Sequence, residues 1–138
     1  SMGRGGSIGI AASDNTLISA STIEAIGYRQ GGLILIGNDA RDGTLPFSIF
    51  TSLDRASTIN ASVVVGNAGG WIETSGHTLN LLSSINAGRG GIWLLDPYDI
   101  TIDSTMASTI IFKPPIVHMP AVMRIVRLVW LLGMGTSQ

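Results

Sequence analysis

The sequence predicts an all-β protein, a parallel β-coil of three to four windings over residues 1–103, followed by a tail of different character over residues 104–138. Three observations predict it. A segment repeats without gaps, a Gly-Gly pair recurs ahead of short apolar runs, and those runs are rich in Ile, Val and Thr and bounded by turn residues.

The repeat comprises Asn15–Ala25, Thr51–Ala61 and His77–Ala87, with the pattern [Thr/Ser]-Leu-x-x-x-Ser-[Thr/Ser]-Ile-[Glu/Asn]-Ala. Gly-Gly occurs at 5–6, 31–32, 69–70 and 90–91. Each pair opens an apolar run: Ile8 and Ile10, Leu33 to Ile36, Trp71 and Ile72, and Ile92 to Leu95. The units are about 21–26 residues long, a typical solenoid period. Gly every few residues, and no 3.6-residue stripe over ten positions, disfavour helix. Hairpins do not need the same Leu, Ile and Ala at the same offset in each unit. A parallel coil does, because each strand lies on its counterpart about 4.8 Å away. The expected stacks are Leu17–Leu53–Leu79, Ile23–Ile59–Ile85 and Ala25–Ala61–Ala87. Thr16, Ser52 and Thr78 are expected above one another, with Asn60 over Asn86 as an amide ladder. Residues 38–50, rich in Asp and Gly and containing Pro46, read as a solvated, protruding loop inserted into one repeat.

Composition narrows the function. Of 138 residues, 45% are hydrophobic and 12% charged, too apolar for intrinsic disorder. The net charge of −1 argues against nucleic acid as a partner. Without cysteine there is no disulfide, no thiol nucleophile and no cysteine zinc site, and His77 and His118 alone offer little to a metal. Residues 1–103 hold five Arg and nine acids, a net −4, whereas residues 104–138 hold Lys113, Arg124, Arg127 and no acid. No secretory signal is expected at Met2-Gly3-Arg4-Gly5-Gly6.

Two blocks carry a resemblance: Gly70-Trp71-Ile72-Glu73-Thr74-Ser75-Gly76-His77, and Ile92-Trp93-Leu94-Leu95-Asp96-Pro97-Tyr98-Asp99-Ile100-Thr101-Ile102. In order and separation they resemble the filamentous haemagglutinin-type exoproteins of Gram-negative bacteria, the large adhesins of two-partner secretion. The resemblance spans residues 5–103. It implies a right-handed parallel β-helix shaft on a secreted, cell-surface parent protein. It also implies export through a dedicated outer-membrane transporter, and a host or bacterial cell-surface protein or glycan as partner. The family's secretion domain, with its Asn-Pro motif, has no counterpart here, so recognition by the exporter is not assigned to these residues.

The tail departs from the family pattern. Pro120 before, and Gly133 after, the apolar run Ala121–Leu132 predict a helix of about twelve residues. At about 18 Å it is too short for a ~30 Å hydrocarbon core. It reads as a cap on the coil, as a helix on a membrane surface, or as out-of-frame sequence from a degraded gene; the last is preferred because nothing in it echoes the body.

Each chemical candidate has a structural counterpart. Glu73 and His77, four apart, could form an acid–base pair, but a turn of hydrogen-bonded polar groups explains them too. Asp96, Asp99 and Asp103 could serve glycoside cleavage, yet Asp96-Pro97 reads as a turn start. Asn38-Asp39-Ala40-Arg41-Asp42-Gly43 lacks the ligand alternation of a calcium loop. Gly3–Gly9 has the wrong spacing for a dinucleotide fingerprint. Trp71 and Trp93 could stack on sugars or cover the coil, and alternation does not place them, since both parities after Gly-Gly are apolar. No catalytic, cofactor or metal residue is assigned. The expectation is a structural and interaction protein with no cofactor and no small-molecule substrate. The alternatives are a β-helical carbohydrate-active enzyme and a non-functional remnant of an adhesin gene.

Overall fold

A computed structural model describes residues 3–39, 43, 45–102 and 109–112. Every regular element among them is a strand: β1 (Ser7–Ile10), β2 (Asn15–Ile18), β3 (Thr22–Glu24), β4 (Leu33–Ile36), β5 (Phe50–Leu53), β6 (Thr58–Asn60), β7 (Trp71–Leu81), β8 (Ser84–Asn86), β9 (Ile92–Ile102) and β10 (Thr109–Phe112). All pairings between them are parallel. Over the described residues the protein is thus all-β, with parallel strands in a nearly closed sheet consistent with a β-helix-like solenoid. The helix expected over residues 121–132, Asp103 and His118 lie outside the described residues. Parallel pairing is present past residue 103, where β10 lies on β9.

One ladder runs β1, β4, the first half of β7, β9 and β10. A second runs β2, β5, the second half of β7 and β9. The third is β3, β6 and β8. What is two strands in β4 and β5 is one continuous strand in β7. Between Ile36 and Phe50 lie thirteen residues, whereas their partners Thr74 and Thr78 are separated by three, so ten are extra. That locates the expected insertion in the middle of what the next layer makes a single strand.

The inward columns follow from register. Ile34, Ile72 and Trp93 stack and are fully buried, as are Leu53 and Leu81, with Ile18 above them. Ile59 and Ile85 do the same on the third face, and Ala25, Ala61 and Ala87 line its end. Each fully buried Ile or Leu contributes about 1.5–3 kcal/mol relative to exposure. No layer closes a core alone, so the columns hold the fold together.

Register corrects two expected stacks, Leu17–Leu53–Leu79 and Thr16–Ser52–Thr78. The repeat aligns Ile23, Ile59 and Ile85 as predicted. In the preceding strands, however, Thr16 pairs with Thr51, which pairs with Leu79, while Leu17 pairs with Ser52, which pairs with Asn80. Thr16, Ser52 and Thr78 therefore do not share a column. Leu17 points outward and is 63% exposed, while Leu53 and Leu79 are fully buried. The cause is turn length: three residues join β2 to β3, four join β5 to β6, and two join β7 to β8. A gapless alignment cannot register both flanks of turns that differ in length.

Asn60 does lie over Asn86. Each side-chain carbonyl accepts the backbone N–H two residues on, from Ser62 at 3.0 Å and Gly88 at 2.8 Å. These Asx turns bend the chain locally.

Candidate functional site

The Gly-Gly pairs explain themselves sterically and in doing so create a surface feature. A Cβ at Gly31 would sit 2.1 Å from the Ala61 carbonyl oxygen, and one at Gly70 would sit 2.4 Å from the same atom. The corner backbone is pressed against the Ala stack, so only glycine fits. Successive pairs form a floor without side chains. Above it lies a groove of about 330 Å³, with Arg4, Gln30 and Ser7 toward one end and Leu33, Trp71 and Ile92 along one wall. Leu33, Trp71 and Ile92 are register partners in three consecutive layers. Arg4 and Gln30 are bridged neighbours in the first two.

Trp71 and Trp93 differ by one position after Gly-Gly, and that position decides their faces. Trp71 directly follows its pair and is half-buried at the groove. Trp93 lies one residue further on, above Ile72, and is fully buried. Its indole N–H donates to the Thr74 hydroxyl at 3.0 Å, which satisfies the polar end of the ring inside the core.

Glu73 and His77 sit on the continuous strand β7, not in a turn. Glu73 is fully buried and its Oε2 accepts the Ser75 hydroxyl at 2.7 Å. His77 is exposed and meets Phe47 edge to face, ring centroids 5.1 Å apart. The structure does not bring the two to one open pocket. Asp96-Pro97 is also strand, opposite Ser75 and Gly76, which corrects the expected turn. The register is constant along the ladder, with Gly76 on Pro97 and Thr78 on Asp99. Among the described residues no three His, Cys, Asp or Glu side chains gather as a metal site.

The expected protruding loop is in part a strap. Asn38, Asp39 and Ser48 are buried, and Leu45 and Phe47 are half-buried. The Ser48 hydroxyl donates to the Ala12 carbonyl at 2.6 Å. With its one proton so used, it accepts from Thr16 Oγ1 at 2.6 Å, and Thr16 accepts the Ala12 N–H at 3.0 Å. Leu45 lies over Gly9, where an added Cβ would approach it to 3.2 Å. Gly9 heads the outward column that continues through Leu35, Glu73 and Leu94, and those three are nearly or fully buried. A sequence signal for this cover existed in the runs Leu33–Ile36 and Ile92–Leu95, which are apolar on both parities, as strands buried on both faces are.

Asp54 was not singled out by sequence, yet it organises a turn. Its carboxylate accepts the Ser57 hydroxyl at 2.7 Å, the Ser19 hydroxyl at 2.8 Å and the Ala20 N–H at 3.1 Å. Ala20 is held at φ 46°, in the left-handed region. The hydrogen bonds from Ser57 and then Ser19 hold the Asp54 carboxyl below its ordinary value. With its oxygens so occupied, Asp54 is a structural carboxylate.

Over the described residues the fold is an all-β, parallel-strand, β-helix-like arrangement with a bare-backbone groove at one corner. No protein family, no curated protein and no solved structure matches the chain.

Proposed function

We propose that this chain is an interior shaft segment of a secreted Gram-negative surface adhesin of the filamentous haemagglutinin type. In this reading it is a right-handed parallel β-helix of three to four coils. Its work is mechanical and presentational: stacked layers form a stiff rod whose faces meet a host or bacterial cell-surface protein or glycan. The parent is exported through its outer-membrane transporter, and no chemistry is assigned to the segment.

One observation carries the reading. The two blocks that resemble the family, Gly70–His77 and Ile92–Ile102, lie on the two eleven-residue strands β7 and β9, which pair with each other at ten registered positions, six of them between the blocks. Blocks kept at fixed separation for the sake of a shaft should be stacked neighbours. The test is attachment. Beads coated with the chain should be retained on epithelial or bacterial cells above albumin-coated beads, and excess soluble chain should abolish the difference. Equal retention of both kinds of bead overturns the proposal.

A further inference from the structure

The groove at the Gly-Gly corner has a shape and lining of its own. Its floor is glycine backbone from consecutive layers, at Gly5-Gly6, Gly31-Gly32 and Gly69-Gly70, with Gly90 beyond. Four layers separated by about 4.8 Å make it roughly 14 Å long, running along the stack. Its apolar wall is the strip of Leu33, Trp71 and Ile92. At its end lie the exposed residues Arg4 and Gln30, whose side chains carry hydrogen-bond donors. No carboxylate is among its lining residues, so it offers no negatively charged ligand to a cation. Its volume of about 330 Å³ lies at the low end for small-ligand sites. A protein partner would need about 1,000 Å² of matched surface, far more than such a trough offers.

We propose that this trough is an oligosaccharide-binding groove, with a neutral sugar ring stacked on Trp71 and its hydroxyls bonded by Gln30 and Arg4. A pyranose has one apolar C–H face and a rim of hydroxyls. An aromatic wall beside amide and guanidinium donors matches both, and the side-chain-free floor lets the sugar chain lie close to the backbone. Trp71 holds the outward position because it directly follows its glycine pair, whereas Trp93, one residue later in the next layer, is core. The inference rests on the adhesion reading only for its biological use, since it names the ligand class and the place of contact.

The test is calorimetric titration of the whole chain with lactose, cellotriose, mannotriose and triacetylchitotriose, and with one sulfated tetrasaccharide. At least one neutral probe should bind. Trp71→Ala should weaken that binding tenfold or more and Gln30→Ala severalfold, with circular dichroism unchanged. Tyr28→Ala, an exposed aromatic outside the groove, should bind as the wild type does. Should Trp71→Ala unfold, Trp71→Phe and Gln30→Ala carry the test, and wild-type affinity in both overturns the groove. Binding of the sulfated probe alone, or of none, also overturns it. Retention of chain-coated beads on cells after such a result leaves the adhesion reading standing, so the two failures are distinguishable.

Discussion

Two strips of the same solenoid obey the same repeat and end differently. On the face of β3, β6 and β8, Ile23, Ile59 and Ile85 stack as the aligned repeats demand. On the face of β2, β5 and β7 the same alignment slips by one residue between the first repeat and each of the others and by two between the second and third, so Leu17 is on the surface while Leu53 and Leu79 are buried. A one-residue slip exchanges the two faces of a strand. The difference shows that a motif is positioned by its nearest turn, and that similarity across a turn of variable length carries no register.

The sharpest way to break this comparison is a buried charge. Ile59→Asp should abolish folding, because an unpaired carboxylate would sit inside a central column. Leu17→Asp should fold normally although the repeat places it in a core stack. Loss of the β-sheet circular dichroism signal in the second variant as well would void the register. Truncation sharpens the same contrast with less damage. Leu53→Ala should cost about 2–5 kcal/mol in urea unfolding, whereas Leu17→Ala should stay within about 0.5 kcal/mol of wild type.

The glycine corner has its own internal contrast. Gly70→Ala forces a Cβ against two backbone carbonyls and should cost about 1–3 kcal/mol. Gly6→Ala meets nothing within 4 Å and should leave the thermal midpoint unchanged. The smallest expected effect is at Asp54. Its folded carboxyl binds protons less tightly than the unfolded chain's, so its contribution is complete above the ordinary carboxyl value of 3.8 and fades as pH falls through the lower folded value. The thermal midpoint should therefore drop on acidification in that window, and Asp54→Asn should lessen the drop.

Much of the architecture was legible in the residues. β-branched runs between Gly, Asn and Ser mark strands, and a recurring Ile and Ala at one offset demand a parallel coil. The ten extra residues after Ile36 were visible as a composition change. Of the candidate site, Trp71 was in view but not its face, because both parities after Gly-Gly are apolar and alternation is silent there. Glu73 and Asp96 were misread as turn residues. Polar residues, Gly and Pro usually mark turns, but here paired neighbours on both sides of β7 keep the chain extended. The strap of Leu45, Phe47 and Ser48 was misread as solvated for a related reason. Its contacts are with Gly9, His77, Ala12 and Thr16, all 29 or more residues away in the chain.

The sequence by itself determined the strands, their parallel stacking on the Ile and Ala columns and the site of the insertion, because those follow from local preference and from what repeats. Only the tertiary structure decided which Leu is core, which Trp faces the groove and where the insert lies. Those depend on turn lengths and on through-space neighbours, and neither is written in a window of adjacent residues.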